Sequence, residues 1–149
     1  MYGIQVFNPL YFVNTDGIDI DACKQVVISD CVIDTGDDAI AIRCDTEHLK
    51  DKNKICENIT IRNCSLGSSS CGVRVGVGKG SIKHVFITNI KVQRAGKMFA
   101  FMTSFDGNGG VEITDFSVMN VLAKNINHAF DITDVKGVGI TQLQIQKVI

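Results

Sequence analysis

Tryptophan is absent from the 149 residues, proline occurs once, at Pro9, and amphipathic helical spacing is hard to find anywhere. With 14 glycines beside that single proline, the balance favours many short strands joined by glycine-assisted turns. Net charge is also missing: 15 basic side chains face 16 acidic ones, which leaves no electrostatic footprint for nucleic acid or an anionic membrane surface. No apolar run approaches the roughly 18 residues needed to span a bilayer. Met1 to Asn8 lack a basic flank with an apolar stretch behind it, so neither a transmembrane helix nor a signal peptide is expected within this stretch. The six cysteines (Cys23, Cys31, Cys44, Cys56, Cys64, Cys71) all lie in the first half. None has the CxxC spacing of a zinc site, so no metal is expected, and small buried thiols are the simpler reading beside disulfides.

What is present is repetition. One ladder reads apolar, any, Ile, Ser/Thr/Arg, Asp/Asn, apolar, at Val26–Cys31, Ile59–Cys64, Val85–Ile90, Val111–Phe116 and, with Gln for the Asp/Asn, Val138–Leu143. Its third position falls at Ile28, Ile61, Ile87, Ile113 and Ile140. A second ladder sets two apolar residues around a variable one, at Gly17–Ile20, Ala39–Ile42, Gly72–Val75, Met98–Phe101 and Ala129–Ile132. A unit with two period-two strands, recurring every twenty-odd to thirty-odd residues, cannot bury its apolar side chains alone, whereas stacked coils bury them continuously. The expected fold is therefore all-β, a right-handed parallel β-helix solenoid of about five to six coils, right-handed because parallel crossovers overwhelmingly are. The polar residue at Asp30, Asn63, Asn89, Asp115 and Gln142 is read as a turn whose side chains bond along the axis.

Departures from the regular coil mark loops: the charged stretch Asp45–Lys54 and the glycine-rich Ser104–Gly110, either of which walls a cleft or is merely solvated surface. Residues 1–149 read as a single β-helix domain that opens on a partial coil and closes on a bare strand, Ile140 to Ile149. Solenoids need caps, so the expectation is a central or C-terminal part of a longer enzyme, with self-association through uncapped ends.

The acids give the sharpest functional signal. Asp16 precedes one copy of the second ladder and Asp38 the next, so they occupy equivalent places on successive coils, about 4.8 Å apart in backbone, with Asp37 adjoining. Clustering carboxylates costs energy because each raises the pKa of the next. One acid held protonated beside ionised partners is the arrangement that cleaves a glycosidic bond. Calcium ligation and ordinary Asp-Gly turn chemistry account for the same cluster.

Asn14–Gly17 (NTDG) followed by IDID, and then Gly36–Ile42 (GDDAIAI), with 21 residues from Asp16 to Asp37, resemble the signature pair of glycoside hydrolase family 28, the polygalacturonases and their relatives. The resemblance implies an inverting hydrolase of pectic polysaccharide or oligosaccharide that needs no cofactor. In it Asp37 would be the general acid, Asp16 and Asp38 would hold and deprotonate water, and Asn14 would orient the group by hydrogen bonding. It also implies action outside the cytoplasm, extracellular or periplasmic. Two departures stand out. Cys71 occupies the place of the family's histidine and is counted with Asn14, Arg43 and Arg74 as substrate-binding, and none of His48, His84 or His128 falls on that ladder position; Ala100, Phe101 and Met102 occupy its basic, carboxylate-gripping element. Arg74, helped by Arg43, is the candidate replacement, because Arg74 sits between inward-facing Val73 and Val75 and so points outward one coil from the acids. A non-catalytic polysaccharide-binding β-helix and a calcium-dependent lyase are the other readings.

Overall fold

In the computed structural model, described for residues 1–104 and 110–133 and for the backbone of 140–148, every regular element is a strand. In chain order they are β1 (Gln5–Phe7), β2 (Ile18–Asp21), β3 (Lys24–Ser29), β4 (Val32–Thr35), β5 (Ile40–Cys44), β6 (Cys56–Arg62), β7 (Ser65–Ser68), β8 (Cys71–Gly78), β9 (Ser81–Met102), β10 (Glu112–Ala123), β11 (Ile126–Thr133) and β12 (Ile140–Val148). All pairings are parallel. The chain winds as a right-handed parallel β-helix with three faces. The first face stacks β2, β5, β8, the end of β9 and β11. The second stacks β3, β6, the start of β9, β10 and β12, and the third carries β1, β4, β7 and the middle of β9. Because β9 runs unbroken over 22 residues, one strand wraps all three faces.

The second ladder forms the inner surface of the first face. Ile18 stacks on Ile40, Ile40 on Val73, Val73 on Phe99 and Phe99 on Phe130, and the Phe99 and Phe130 rings lie parallel with centroids 5.6 Å apart. Ile40, Ile42, Val73, Val75, Phe99 and Phe101 are fully buried. Residues between them point outward, as strand alternation requires.

The first ladder is in register only as far as its third copy. Ile28 stacks on Ile61 and Ile61 on Ile87, but Ile87 then meets Val118, while Ile113 lies on Ile82 and beneath Ile140. The cause is that each coil has two left-handed corners five residues apart: Gln25 and Asp30, Asn58 and Asn63, His84 and Asn89, Asp115 and Asn120, all with φ between 52° and 59°. A short polar side chain tolerates that conformation better than other non-glycine residues, so apolar-any-Ile-Thr-Asn/Asp-apolar arises at either corner. Asp115 therefore belongs to the corner of His84, and Asn120 continues the row of Asp30, Asn63 and Asn89. Gln142 follows Asp115 by backbone register. Along the true row, Asn63 Nδ2 donates to Asp30 Oδ1 at 3.3 Å and Asn89 Nδ2 to Asn63 Oδ1 at 3.2 Å. The five extra residues of that coil enter between Met102 and Glu112, within the glycine-rich segment expected as a loop, most of which lies outside the described residues. Asp45–Lys54 leaves the coil between β5 and β6, as its composition predicts. Val138 of the fifth copy lies outside the described residues.

Candidate active site

Two glycines set up the acids by close approach. A Cβ on Gly17 would stand 2.4 Å from both the Ala39 carbonyl oxygen and Ile33 Cγ2, so β2 settles against its neighbour only with hydrogen there. A Cβ on Gly36 would stand 2.3 Å from the Pro9 carbonyl oxygen, so the loop before Asn14 lies directly on the turn before Asp37. Gly17 N–H donates to the Asp38 carbonyl at 2.9 Å, and Ala39 N–H to the Cys71 carbonyl at 2.9 Å. These bonds hold Asp16, Asp38 and Cys71 abreast on successive coils.

The three predicted acids line one groove of about 460 Å³ together with Asn14, Arg43 and Arg74. Asp37 Oδ2 accepts the backbone N–H of Asn14 at 3.0 Å; the Asn14 contact is thus made by main chain. The Asp37 carbonyl accepts the hydroxyls of Thr35 at 2.8 Å and Ser68 at 2.6 Å, which fixes the turn from beneath. Asp38 is nearly buried. Its Oδ1 accepts Cys71 N–H at 3.2 Å and Arg74 Nη2 at 3.2 Å, and its Oδ2 accepts Arg74 Nε. That is a two-pronged guanidinium–carboxylate pair. Burial works against the Arg74 charge and Asp38 more than offsets it, so the guanidinium titrates above its usual value.

Asp16 is the contrasting group. Burial first, then the negative charges of Asp19, Asp38 and Asp37 and a hydrogen bond with Asp19, raise its carboxyl to about 6. Burial and like charge both disfavour the ionised form, so near neutral pH this carboxyl exchanges a proton readily. Arg43 turns aside to Asp19, its Nη1 donating to Oδ2 at 3.3 Å, while still lining the groove. Cys71 sits beneath Arg74, 1% exposed, with Sγ 3.1 Å from Arg74 Nη2. Burial pushes its thiol up to about 12, and it is absent from the groove lining.

Sequence reasoning passed over Asp19, which bonds Asp16, and Asp45, which lines the groove. Asp19 was legible as an outward residue one position beyond Ile18. Contrary to the expectation that no histidine falls on the ladder of Cys71, His128 does: Cys71 stacks on Lys97 and Lys97 on His128, so the row along the axis reads Asp16, Asp38, Cys71, Lys97, His128.

Residues 3–95 match the model of the glycosyl hydrolases family 28, well over half of the chain. The chain belongs to that family. Its relatives include a probable polygalacturonase of Arabidopsis thaliana, 33% identical over 45% of this chain and 19% of its own length. A polygalacturonase of Chamaecyparis obtusa is 46% identical over 36% and 10%, and exopolygalacturonase X-1 of Emericella nidulans is 26% identical over 83% and 30%. The chain thus spans between 10% and 30% of the length of these family 28 relatives.

Proposed function

We propose that this family 28 chain carries the acid centre of a hydrolase that cleaves pectic polysaccharide or oligosaccharide with inversion, by general acid and base catalysis and without a cofactor. The observation that carries the reading is the union of Asp16, Asp37 and Asp38 in one open groove, on a fold whose matched relatives are named as polygalacturonases. One carboxyl protonates the leaving oxygen while another deprotonates the attacking water, so the proton lost by water leaves on the opposite side from the proton gained by the sugar oxygen. Asp38, paired with Arg74 and lining the groove, is suited to orient water. Asp37, open on the groove and anchored through Asn14 N–H, is the donor in this assignment. A polymeric substrate places the protein outside the cytoplasm, extracellular or periplasmic.

A second assignment is favoured by the proton affinity of Asp16: Asp16 donates and Asp37 works on water. An aryl galacturonide separates the two, because a nitrophenolate leaves without protonation. Reducing-end release from oligogalacturonide should fall by about 10²–10⁴ in Asp37→Asn, with the aryl substrate largely spared. If Asp16→Asn shows that pattern instead, Asp16 is the donor. Equal release by the wild type and both variants would remove catalysis by this cluster, and no release by any of them would leave a polysaccharide-binding β-helix. Loss of activity with chelator and an ultraviolet-absorbing unsaturated product would indicate a lyase.

A further inference from the structure

A second, smaller depression of about 230 Å³ adjoins the acid groove on the same outer face, lined by Ser69, Ser70, Arg74, Gly96, Lys97, Asn127 and His128. Arg74 lines both, so the two depressions share that side chain as a common wall. The lining of the smaller one holds a guanidinium, an ammonium and an imidazole but no carboxylate. The acids that balance these cations stand outside it: Asp38 on Arg74, and Asp131 on Lys97. In register, Arg74 is flanked by the short Ala41 and Ala100, and beside Asp38 its side chain stays 16% exposed.

We infer that Arg74, Lys97 and His128 form a subsite for the carboxylate of a uronic acid ring, next to the acid groove. The inference rests on the reading of that groove as a pectic sugar site and adds the group that selects the sugar's charge. Whole-ligand pockets run to roughly 300–1,000 Å³, so this depression takes one ring and not an oligomer. Strand spacing sets Lys97 two coils from Asp38, roughly 10 Å along the axis, so the ring it grips lies beyond the acids and is not the one being protonated. Lys97 and Arg74 supply charge-assisted donors to the carboxylate. Ser69, Ser70 and Asn127 supply hydroxyl and amide partners for the ring hydroxyls. The residues at the ladder places of the family's basic element cannot do this, because Ala100 and Phe101 are buried and apolar.

The test is a titration of the chain with D-galacturonate and, separately, with its carboxyl methyl ester, followed by nuclear magnetic resonance. Neither sugar has a glycosidic bond to cleave, so binding is read apart from hydrolysis. The acid should bind about ten-fold or more tightly than the ester, with shifts at Lys97 and His128. Lys97→Met should reduce acid binding to near that of the ester and leave ester binding unchanged, and Lys97→Arg should restore the preference; the arginine variant shows that the methionine variant has lost a charge and not its fold. Equal binding of acid and ester by the wild type, no binding of either, or an unchanged ratio in Lys97→Met would overturn the subsite. Failure of hydrolysis in the Asp37 test with the acid preference intact would sink the catalytic reading alone.

Discussion

Asp16→Asn isolates the cost of crowding carboxylates, because asparagine keeps the shape and can still bond Asp19. A carboxyl that titrates near 6 in the fold and 3.8 unfolded carries about 3 kcal/mol of native-state cost once ionised. Asp16 is half open to water, and solvent screening brings the figure to about 1–2 kcal/mol. The sign follows from which state holds the proton. Above pH 6 Asp16 is ionised in both states and the folded one bears the full cost. Between 6 and 3.8 the folded protein keeps a proton that the unfolded chain has lost, so the cost fades; below 3.8 both are neutral and it is gone. Asp16→Asn should therefore melt higher than wild type at pH 8, by about 2–4 °C per kcal/mol for a chain of this size. The gap should close on acidification to pH 4, as read by circular dichroism in urea and in thermal scans. A variant no more stable at pH 8, or a gap that widens on acidification, would refute the account of Asp16 as a destabilised carboxylate. Whatever its stability, the variant should be a poorer hydrolase.

Three further outcomes follow from geometry. Ile61, fully buried between Ile28 and Ile87, should cost about 2–5 kcal/mol as alanine, seen as a lower urea midpoint. Arg74→Ala should raise KM for an acidic sugar and destabilise the fold by about 3 kcal/mol through an unpaired, buried Asp38; adding Asp38→Asn should recover part of that stability, read by equilibrium unfolding. Asn63, left-handed at φ 54°, should lose about 1 kcal/mol on change to alanine and much less on change to glycine, by equilibrium unfolding.

The acids were legible because Asp16 and Asp38 precede two copies of one period-two motif, and equal ladder positions become neighbours when coils stack. Parity likewise put Arg74 outward between Val73 and Val75. Register failed after Ile87 because both corners of a coil accept Asn or Asp after an Ile-Thr pair, and local pattern does not say which corner is being read. Parity shows that a side chain faces out but not what it meets. That Arg74 would close on Asp38 and that Arg43 would turn to Asp19 emerged only from the stacked side chains, whereas Lys97 and His128 precede Met98 and Ala129 as Asp16 precedes Gly17, so their place in its row was legible in the ladder. Cys71 is buried, as small thiols were expected to be, with its sulfur under the Arg74 guanidinium and off the groove.

Extra length enters the coil at both edges of the first face, before β2 as well as after β5 and β9. The residues between Cys44 and Cys56 and those between Met102 and Glu112 join the first face to the second, and Asp45, at the start of the former, bounds the groove with Arg43 and Val77. Doubling a loop costs only about 0.6 kcal/mol in closure entropy, so insertions at this seam lengthen the wall beside the carboxylates while the stacked interior keeps its pitch. Substrate reach can therefore be redrawn on this scaffold by changing loop length alone.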